Sequence, residues 1–391
     1  MKPFKELRQT LMEQLAEAGE LTDEEILEKI DELLIGNNNI GYIPLNHKVQ
    51  LRQELFDSIR KLDVLQELID NPGVTEIMVN GYQTIFVEVE GRIKAWDKQF
   101  TSREKLDDVI QQIAGRCNRV VNENKPIVDA RLENGARVNI VISPAALNGP
   151  IITIRRFPDV PITMERLIEL GSITKEAAKL LEDLVAARYS IFIGGGTSAG
   201  KTTFLNALSN YIPKNERIIT IEDNAELQIQ GVANLVKLEA KEANMEGNRE
   251  ISIRELIKTA LRMRPTRIII GEVRSEEAID LLQAWNTGHE GSLGTAHANS
   301  SWDMISRLET MVLTGMALPL EAIRRQIASG IDVMVHLGQT DNGKRRVLEI
   351  VEVTGFANGE VTVNPLFRWD YQQKKLCKVN KLINTQKLTR G

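Results

Sequence analysis

The chain has 391 residues, 26% of them charged and 42% hydrophobic, with a formal net charge of −5. At roughly 150 residues per domain that suggests two or three globular domains, and it excludes a disordered, collagen-like or simple coiled-coil chain. No run approaches the ~18 consecutive apolar residues of a membrane-spanning helix. The pI of about 5.7 carries no global basic footprint for nucleic acid. Two cysteines, Cys117 and Cys377, make neither a disulfide framework nor a cysteine-based zinc site. The opening MKPFKELRQT lacks the apolar core and cleavage site of a secretory signal, so a soluble cytoplasmic protein is the expectation.

Residues 11–35 carry nine acidic side chains against one basic, Lys29, with Leu11, Leu15, Leu21, Ile26, Ile30, Leu33 and Leu34 at near-helical spacing. This predicts two short acidic amphipathic helices, the second opened by a Thr22/Glu25 capping box and stopped by Gly36-Asn37-Asn38-Asn39. They read as a solvated face or as a docking surface. Another helix is predicted over 46–70, followed by a turn at Asn71-Pro72-Gly73. Short apolar runs at Val74–Val79, Ile85–Val89 and Ile93–Trp96, separated by Asn80-Gly81 and Glu90-Gly91, predict strands joined by hairpins. A helix over 102–117 and strands at Ala136–Ile142 and Ile151–Arg155 follow. Turns fall at Glu133-Asn134-Gly135 and Asn148-Gly149-Pro150. Residues 46–157 therefore read as a small α+β domain, and Phe157–Pro161 as a linker.

From about residue 162 the pattern becomes alternating helix and strand. Helices are predicted over 174–187, 201–210, 252–263 and 275–286. Strands are predicted at Ser190–Ile193, Arg217–Ile221, Leu235–Leu238, Arg267–Ile270 and Ser292–His297. This rhythm argues for a parallel sheet covered by helices. Helices over 301–314 and 319–329 precede antiparallel strands over 331–364 around Asp341-Asn342-Gly343. Residues 371–391 hold six Lys or Arg and no acid, and read as a solvated, partly disordered basic tail. The expected division is 1–45 acidic helical extension, 46–157 α+β domain, 158–370 nucleotide-binding domain and 371–391 tail.

Gly195-Gly196-Thr197-Ser198-Ala199-Gly200-Lys201-Thr202 fits G-x-x-x-x-G-K-[ST], and it follows an apolar strand and opens a helix. Glycines let backbone N–H groups turn toward phosphate oxygens, and the helix N-terminus adds positive charge. Lys201 would reach the β- and γ-phosphates and Thr202 would ligate Mg²⁺, with Thr203 beside it. Hydrolysis also needs a carboxylate to orient water. Arg267–Ile270 ends in Gly271-Glu272, the place for a Walker B element, with glycine where an Asp often stands. A second acidic pair, Glu222-Asp223, ends the strand over Arg217–Ile221, and ligands in open α/β sheets lie at such carboxyl ends. Two of the four histidines, His289 and His297, fall in one short segment. After the phosphate loop and Glu272 they read best as sensors of the γ-phosphate.

Together GGGTSAGKTT, ITIEDNAEL, IIIGEVR and TGHEGSLGTAHANS resemble the secretion ATPase superfamily, the motors of type II secretion, type IV pili and type IV secretion, where they form the Walker A, Asp, Walker B and His boxes. VTEIMVNG, VDARLENGARVN and ALNGPIITIRRF resemble the CpaF-like branch of Flp/Tad pilus assembly. The resemblance covers roughly residues 50–370. It implies an α/β fold, with a C-terminal RecA-like P-loop NTPase domain and a smaller α+β, PAS-like N-terminal domain.

By resemblance the nucleotide is held by Gly195, Gly196, Thr197, Ser198, Ala199, Gly200, Lys201, Thr202 and Thr203. Glu272, Glu222, His289 and His297 take part in catalysis, and Thr202, Asp223 and Glu272 meet Mg²⁺. Arg137, Arg155 and Arg156, with Arg131, would reach ATP phosphates from the first domain. The glycine at 271 is the family's own pattern. Two distant cysteines cannot supply the four-cysteine zinc insert of the type II secretion branch.

The resemblance implies a cytoplasmic homohexamer that hydrolyses ATP and pushes on a polytopic inner-membrane platform protein, with no nucleic-acid partner. The alternatives are a type IV secretion or pilus-retraction motor, a hexameric nucleic-acid translocase, and a nucleotide-gated scaffold without turnover.

Overall fold

The computed structural model describes residues 2–16, 21–36, 44–89, 91–132, 134–156, 161–241, 250–340 and 343–389. The expected stop at Asn37–Asn39, the linker over 157–160 and parts of three turns (Glu90, Glu133, Asp341-Asn342) lie outside them. The chain divides into two compact units, Met1–Asp159 and Val160–Gly391.

The first unit opens with α1 (Lys2–Ala16), α2 (Asp23–Gly36) and α3 (Leu45–Arg60). Leu7 and Leu11, Ile26, Ile30, Leu33 and Leu34, and Leu55 and Phe56 bury one shared apolar core. The acidic helices therefore do not form an extension ending at residue 45, because α3 completes their cluster. The capping box is present: Glu25 N–H donates to Thr22 Oγ1 (3.3 Å) and Thr22 N–H to Glu25 Oε2 (2.7 Å).

The helix expected over 46–70 is two, α3 and α4 (Val64–Asp70). The break falls at Asp63, whose φ of 53° no helix continues and whose N–H donates back to Asp57 C=O. Strands β1 (Val74–Asn80), β2 (Ile85–Val89), β3 (Arg92–Ala95), β4 (Ile127–Arg131), β5 (Arg137–Val141) and β6 (Ile151–Arg155) form an antiparallel sheet in the order β3-β2-β1-β6-β5-β4. Helix α5 (Arg103–Arg116), capped by Ser102, contributes Leu106, Val109, Ile110 and Ile113 to the core of Ile77, Val79, Val138, Ile140, Ile152 and Ile154. Period-two alternation announced β1, β5 and β6. It did not announce β4, an edge strand that buries only Val128 fully.

In the second unit, α6 (Met164–Glu169) and α7 (Lys175–Ala186) lead into β7 (Ile191–Gly195), α8 (Lys201–Ser209), β8 (Arg217–Glu222), β9 (Asn234–Glu239), α9 (Ile253–Ala260), β10 (Arg267–Val273), α10 (Glu277–Asn286) and β11 (Leu293–Ala296). Then come α11 (Ser301–Gly315), α12 (Leu320–Gly330), β12 (Val333–Gln339), β13 (Arg345–Ala357), β14 (Glu360–Asp370) and β15 (Lys375–Lys378). Among the described residues these strands make one sheet of nine, ordered β15-β14-β13-β12-β7-β11-β10-β8-β9. β12, β7, β11, β10, β8 and β9 run parallel, and β13, β14 and β15 extend the sheet antiparallel. Near-continuous apolar strands such as Ile268-Ile269-Ile270 suit a sheet covered on both faces, and two cores lie against it. α6, a single capped turn and a half, has too little periodicity to be read from sequence.

The basic tail is a correction. β15 pairs with β14, and the chain beyond it stays against the unit as far as residue 389, with Leu382 packed on the core and Tyr189 Oη donating to Asn384 C=O (2.5 Å).

Candidate nucleotide site

β7 is wholly buried and delivers the chain to the carboxyl edge of the sheet, where the loop Gly196–Gly200 turns into α8. The turn needs left-handed backbone at Ser198 (φ 58°) and at Gly200 (φ 93°), the residue that caps α8. Lys201 lies across the mouth of the loop. Its Nζ donates to the carbonyls of Gly195 (3.1 Å) and Gly196 (3.2 Å) and is 3.3 Å from His297 Nδ1. Burial lowers the Lys201 pKa, and Glu272 opposes that shift. Thr202 and Thr203 are half-buried in the first turn of α8.

Glu272 reaches the same edge through a bulge. Ile270 pairs with Gly294 and Val273 with Ala296, so β10 carries one residue more than β11 at Gly271-Glu272. The Thr295 hydroxyl secures the bulge by donating to Gly271 C=O (2.6 Å). Gly271 is required there, since a Cβ would lie 2.8 Å from Glu222 Cγ.

His297 follows β11 and stands between the two charges, with Nε2 2.8 Å from Glu272 Oε1. An ammonium can only donate, so Nδ1 facing Lys201 is the acceptor and Nε2 carries the proton. Burial, and then Lys201, lowers the His297 pKa, which favours that neutral ring. The Nε2–Oε1 approach is close but off-line, leaving Oε1 without a well-aligned donor. Oε2 accepts from Arg274 Nη2 (2.8 Å), and Arg274 Nη1 is 3.0 Å from Asp223 Oδ2. Arg274 thus ties the acids of two strand ends together. The sequence reading assigned it no role, although it stands two residues after Glu272 in the Walker B run. Arg345, at the start of β13, was also missed. Its stem lies against the phosphate loop, with Cδ 3.6 Å from where a Gly200 Cβ would be.

Two expected residues are placed otherwise. Glu222 is buried, and its carboxylate accepts from the N–H groups of Glu226 (2.9 Å) and Leu227 (3.0 Å). Burial pushes its pKa up to about 7 despite those donors. It anchors the loop after β8 and is closed to solvent, so it is not positioned to activate water. His289 lies before β11, at the amino edge of the sheet, with Nδ1 3.0 Å from Ala284 C=O. The four residues of β11, roughly 13 Å, separate it from His297. The structure therefore does not bring it to the phosphate loop.

In the first unit, Arg131, Arg137 and Arg155 are directly opposite one another across β4, β5 and β6, and the row continues to Glu76 and Glu88. Partners in register share a face. Arg156 falls outside the row, its guanidinium donating to Asn71 C=O.

Among the described residues no group of three or more His, Cys, Asp or Glu could hold a metal unaided. The donor set at the phosphate loop instead suits Mg²⁺, which takes one or two protein oxygens and completes its shell with phosphates and water. The poorly satisfied Glu272 Oε1 is such an oxygen.

Residues 59–360 match the family described as "Type II/IV secretion system protein". The chain is 35% identical over 293 residues to Rv3659c, a Mycobacterium tuberculosis protein named for conjugal transfer, covering 73% of this chain and 83% of that one. It is 32% identical over 321 residues to the type IV secretion system protein VirB11 of Brucella suis, covering 74% and 88%. Its fold is similar to that of the pilus retraction motor PilT with bound ADP, at a TM-score of 0.54 and 20% identity, covering 84% of this chain and 86% of that one. No helix among the described residues is long and apolar enough to cross a membrane.

Proposed function

This chain belongs to the type II/IV secretion system protein family, and on that footing we propose that it is a motor ATPase that hydrolyses ATP to drive pilus assembly or protein secretion. The observation that carries the proposal is the contact chain Lys201–His297–Glu272–Arg274–Asp223 along the carboxyl edge of the sheet. Lys201 and the loop N–H groups bind the β- and γ-phosphates. Thr202, Asp223 and Glu272 would hold Mg²⁺, which would neutralise charge on the phosphate oxygens. Glu272 orients the attacking water. His297, neutral and joined to both Lys201 and Glu272, registers whether a γ-phosphate is present. The arginine row of Arg131, Arg137 and Arg155 in the first unit is guanidinium charge of the kind an arginine finger supplies.

The working form is a homohexamer acting on a polytopic inner-membrane platform protein from the cytoplasmic side. The Flp/Tad pilus reading rests on VTEIMVNG and the first-domain motifs. The type IV secretion alternative is favoured by the names of the relatives, which belong to conjugal transfer and type IV secretion.

Steady-state phosphate release from the purified chain tests the proposal. Turnover that is abolished by Lys201→Ala and by Glu272→Gln supports it, and full turnover in either variant sinks the site assignment. Capture of a polytopic membrane protein on the ATP-bound Glu272→Gln protein, followed by its identification, separates pilus from secretion partners.

A further inference from the structure

Ala296 of β11, Gly194 of β7 and His336 of β12 lie side by side in register across three strands. Just past Ala296 the chain carries His297 and then crosses the middle strand, the one that delivers the phosphate loop. The missing side chain at Gly194 makes room for that crossing. A Cβ there would lie 3.2 Å from Ala298 Cβ and would collide with the terminal methyl of Met304.

His336 stands on the far side of the crossing. Its neighbours along β12, Met334, Val335 and Leu337, are apolar and buried, and His336 is buried with them. Its imidazole faces the Ala298 C=O, and the charged groups around it are Glu349, its partner on β13, and Asp303 of α11. Burial lowers its pKa despite those two acids, so the ring is neutral near pH 7 and has one N–H to give. An apolar side chain would fill this position at less cost unless the buried carbonyl needs a donor. The N–H of the same peptide is held as well. Asn299 N–H donates to Asp303 Oδ2 (2.7 Å), and Asp303 N–H donates to Ser300 Oγ (3.0 Å).

We propose that His336 is a positioning residue for the nucleotide sensor. With Asp303 it clamps the Ala298–Asn299 peptide from both sides and so fixes His297 between Lys201 and Glu272. A peptide unit is planar, and pinning both of its polar groups sets its orientation. His297 is one residue away, with contacts of 3.3 Å to Lys201 and 2.8 Å to Glu272. A drift of about 1 Å would break either contact. The inference rests on the reading of His297 as the group that registers a γ-phosphate.

The test measures nucleotide preference, which a merely structural role would not move. Displacement of a fluorescent ADP from the full chain, by ADP and by adenylyl imidodiphosphate, gives the preference for a γ-phosphate. His336→Met removes the N–H and keeps an unbranched side chain, whereas His336→Gln keeps an N–H. His336→Met should lose about five- to tenfold of the preference, the worth of one well-placed hydrogen bond. ADP affinity and melting temperature should stay at the wild-type values, and phosphate release should fall by a similar factor at unchanged KM. His336→Gln should recover most of the loss. In a His297→Ala background, His336→Met should change the preference no further. Asp303→Ala, which frees the other side of the same peptide, should behave like His336→Met and serves if that variant does not fold. Full preference in His336→Met, equal weakening of both nucleotides, or an added loss in the His297→Ala background overturns the proposal. A wild-type chain without preference for the γ-phosphate sinks the sensor reading and this inference together. Preference lost in His297→Ala but kept in His336→Met sinks this inference alone.

Discussion

His297 Nε2 stands 2.8 Å from Glu272 Oε1 while its Nδ1 stands 3.3 Å from Lys201 Nζ, so a single neutral imidazole joins the phosphate-loop lysine to the carboxylate of the neighbouring strand end. Groups joined this way act as a unit, and their losses do not add. Glu272→Gln should lower kcat by about 10²–10⁴ and leave ATP binding within a few-fold. His297→Ala should cost less, and the double variant no more than Glu272→Gln alone. Phosphate release together with fluorescent-nucleotide binding checks this; fully multiplicative losses would contradict a joined unit.

Arg274 holds Glu272 and Asp223 at once, with two different guanidinium nitrogens. Arg274→Lys should therefore fail to restore the turnover lost in Arg274→Ala, because an ammonium on a flexible stem cannot reproduce a planar fork. Both variants should melt near the wild-type temperature, since the arginine side chain is largely exposed. Turnover close to wild type in Arg274→Lys would show that charge alone suffices.

At Gly271 the constraint is steric. A Cβ would lie 2.8 Å from Glu222 Cγ, whose carboxylate is held by the N–H groups of Glu226 and Leu227. Gly271→Ala should destabilise the fold by about 1–3 kcal/mol, and Gly271→Asp by more. Denaturant midpoints with unchanged slope are the readout. Gly271→Ala in a Glu222→Ala background should cost less than in the wild type.

Within the first unit the three in-register arginines and Arg156 should behave differently. Arg137→Ala, at the centre of the row, should lower turnover by about 10³ if it serves as an arginine finger. Arg156→Ala, whose guanidinium is committed to Asn71 C=O, should change turnover less than about twofold. Equal losses in the two would set the row aside as the source of the charge.

Asp63 provides a pH test away from the nucleotide. Burial raises its pKa above the ordinary 3.8, and it faces Lys105 Nζ at 3.9 Å, Arg8 and Asp57. A carboxyl with a raised folded-state pKa binds its proton more tightly in the folded chain, so its contribution to stability falls as pH rises through and above the ordinary carboxylate range. Lys105, its pKa lowered by burial, loses its proton more readily in the folded chain. Asp63→Asn should flatten the decline in stability that sets in as pH rises above about 4, measured by urea unfolding at a series of pH values. An unchanged slope would mean that Asp63 is ionised in both states.

Much of the architecture was legible because it is local. Capping chemistry at Thr22, period-two strands at β1, β5 and β6, and the strand–loop–helix around Lys201 each lie within a dozen consecutive residues. Illegible elements were short or held by partners distant in sequence. β4 exists through its ladder to β5, and α3 and α4 part at a single backbone angle at Asp63.

By itself the sequence determined the phosphate loop, the strand that ends in Glu272 and the family to which these belong, since the dihedral and charge requirements of a phosphate cradle must be met by adjacent residues. Only the tertiary structure decided which of the remaining candidates meet. Strand order carries His297 to Lys201 and leaves His289 at the opposite edge, and one extra residue in β10 aims Glu272. Register aligns Arg131, Arg137 and Arg155 and excludes Arg156, while buried Glu352, accepting from the N–H groups of Ile383 and Asn384, turns an expected loose tail into a fixed segment. The physical reason is the same in each case: a side chain's neighbours across a sheet are set by pairing and burial between segments far apart in the chain, which no local pattern of residues encodes.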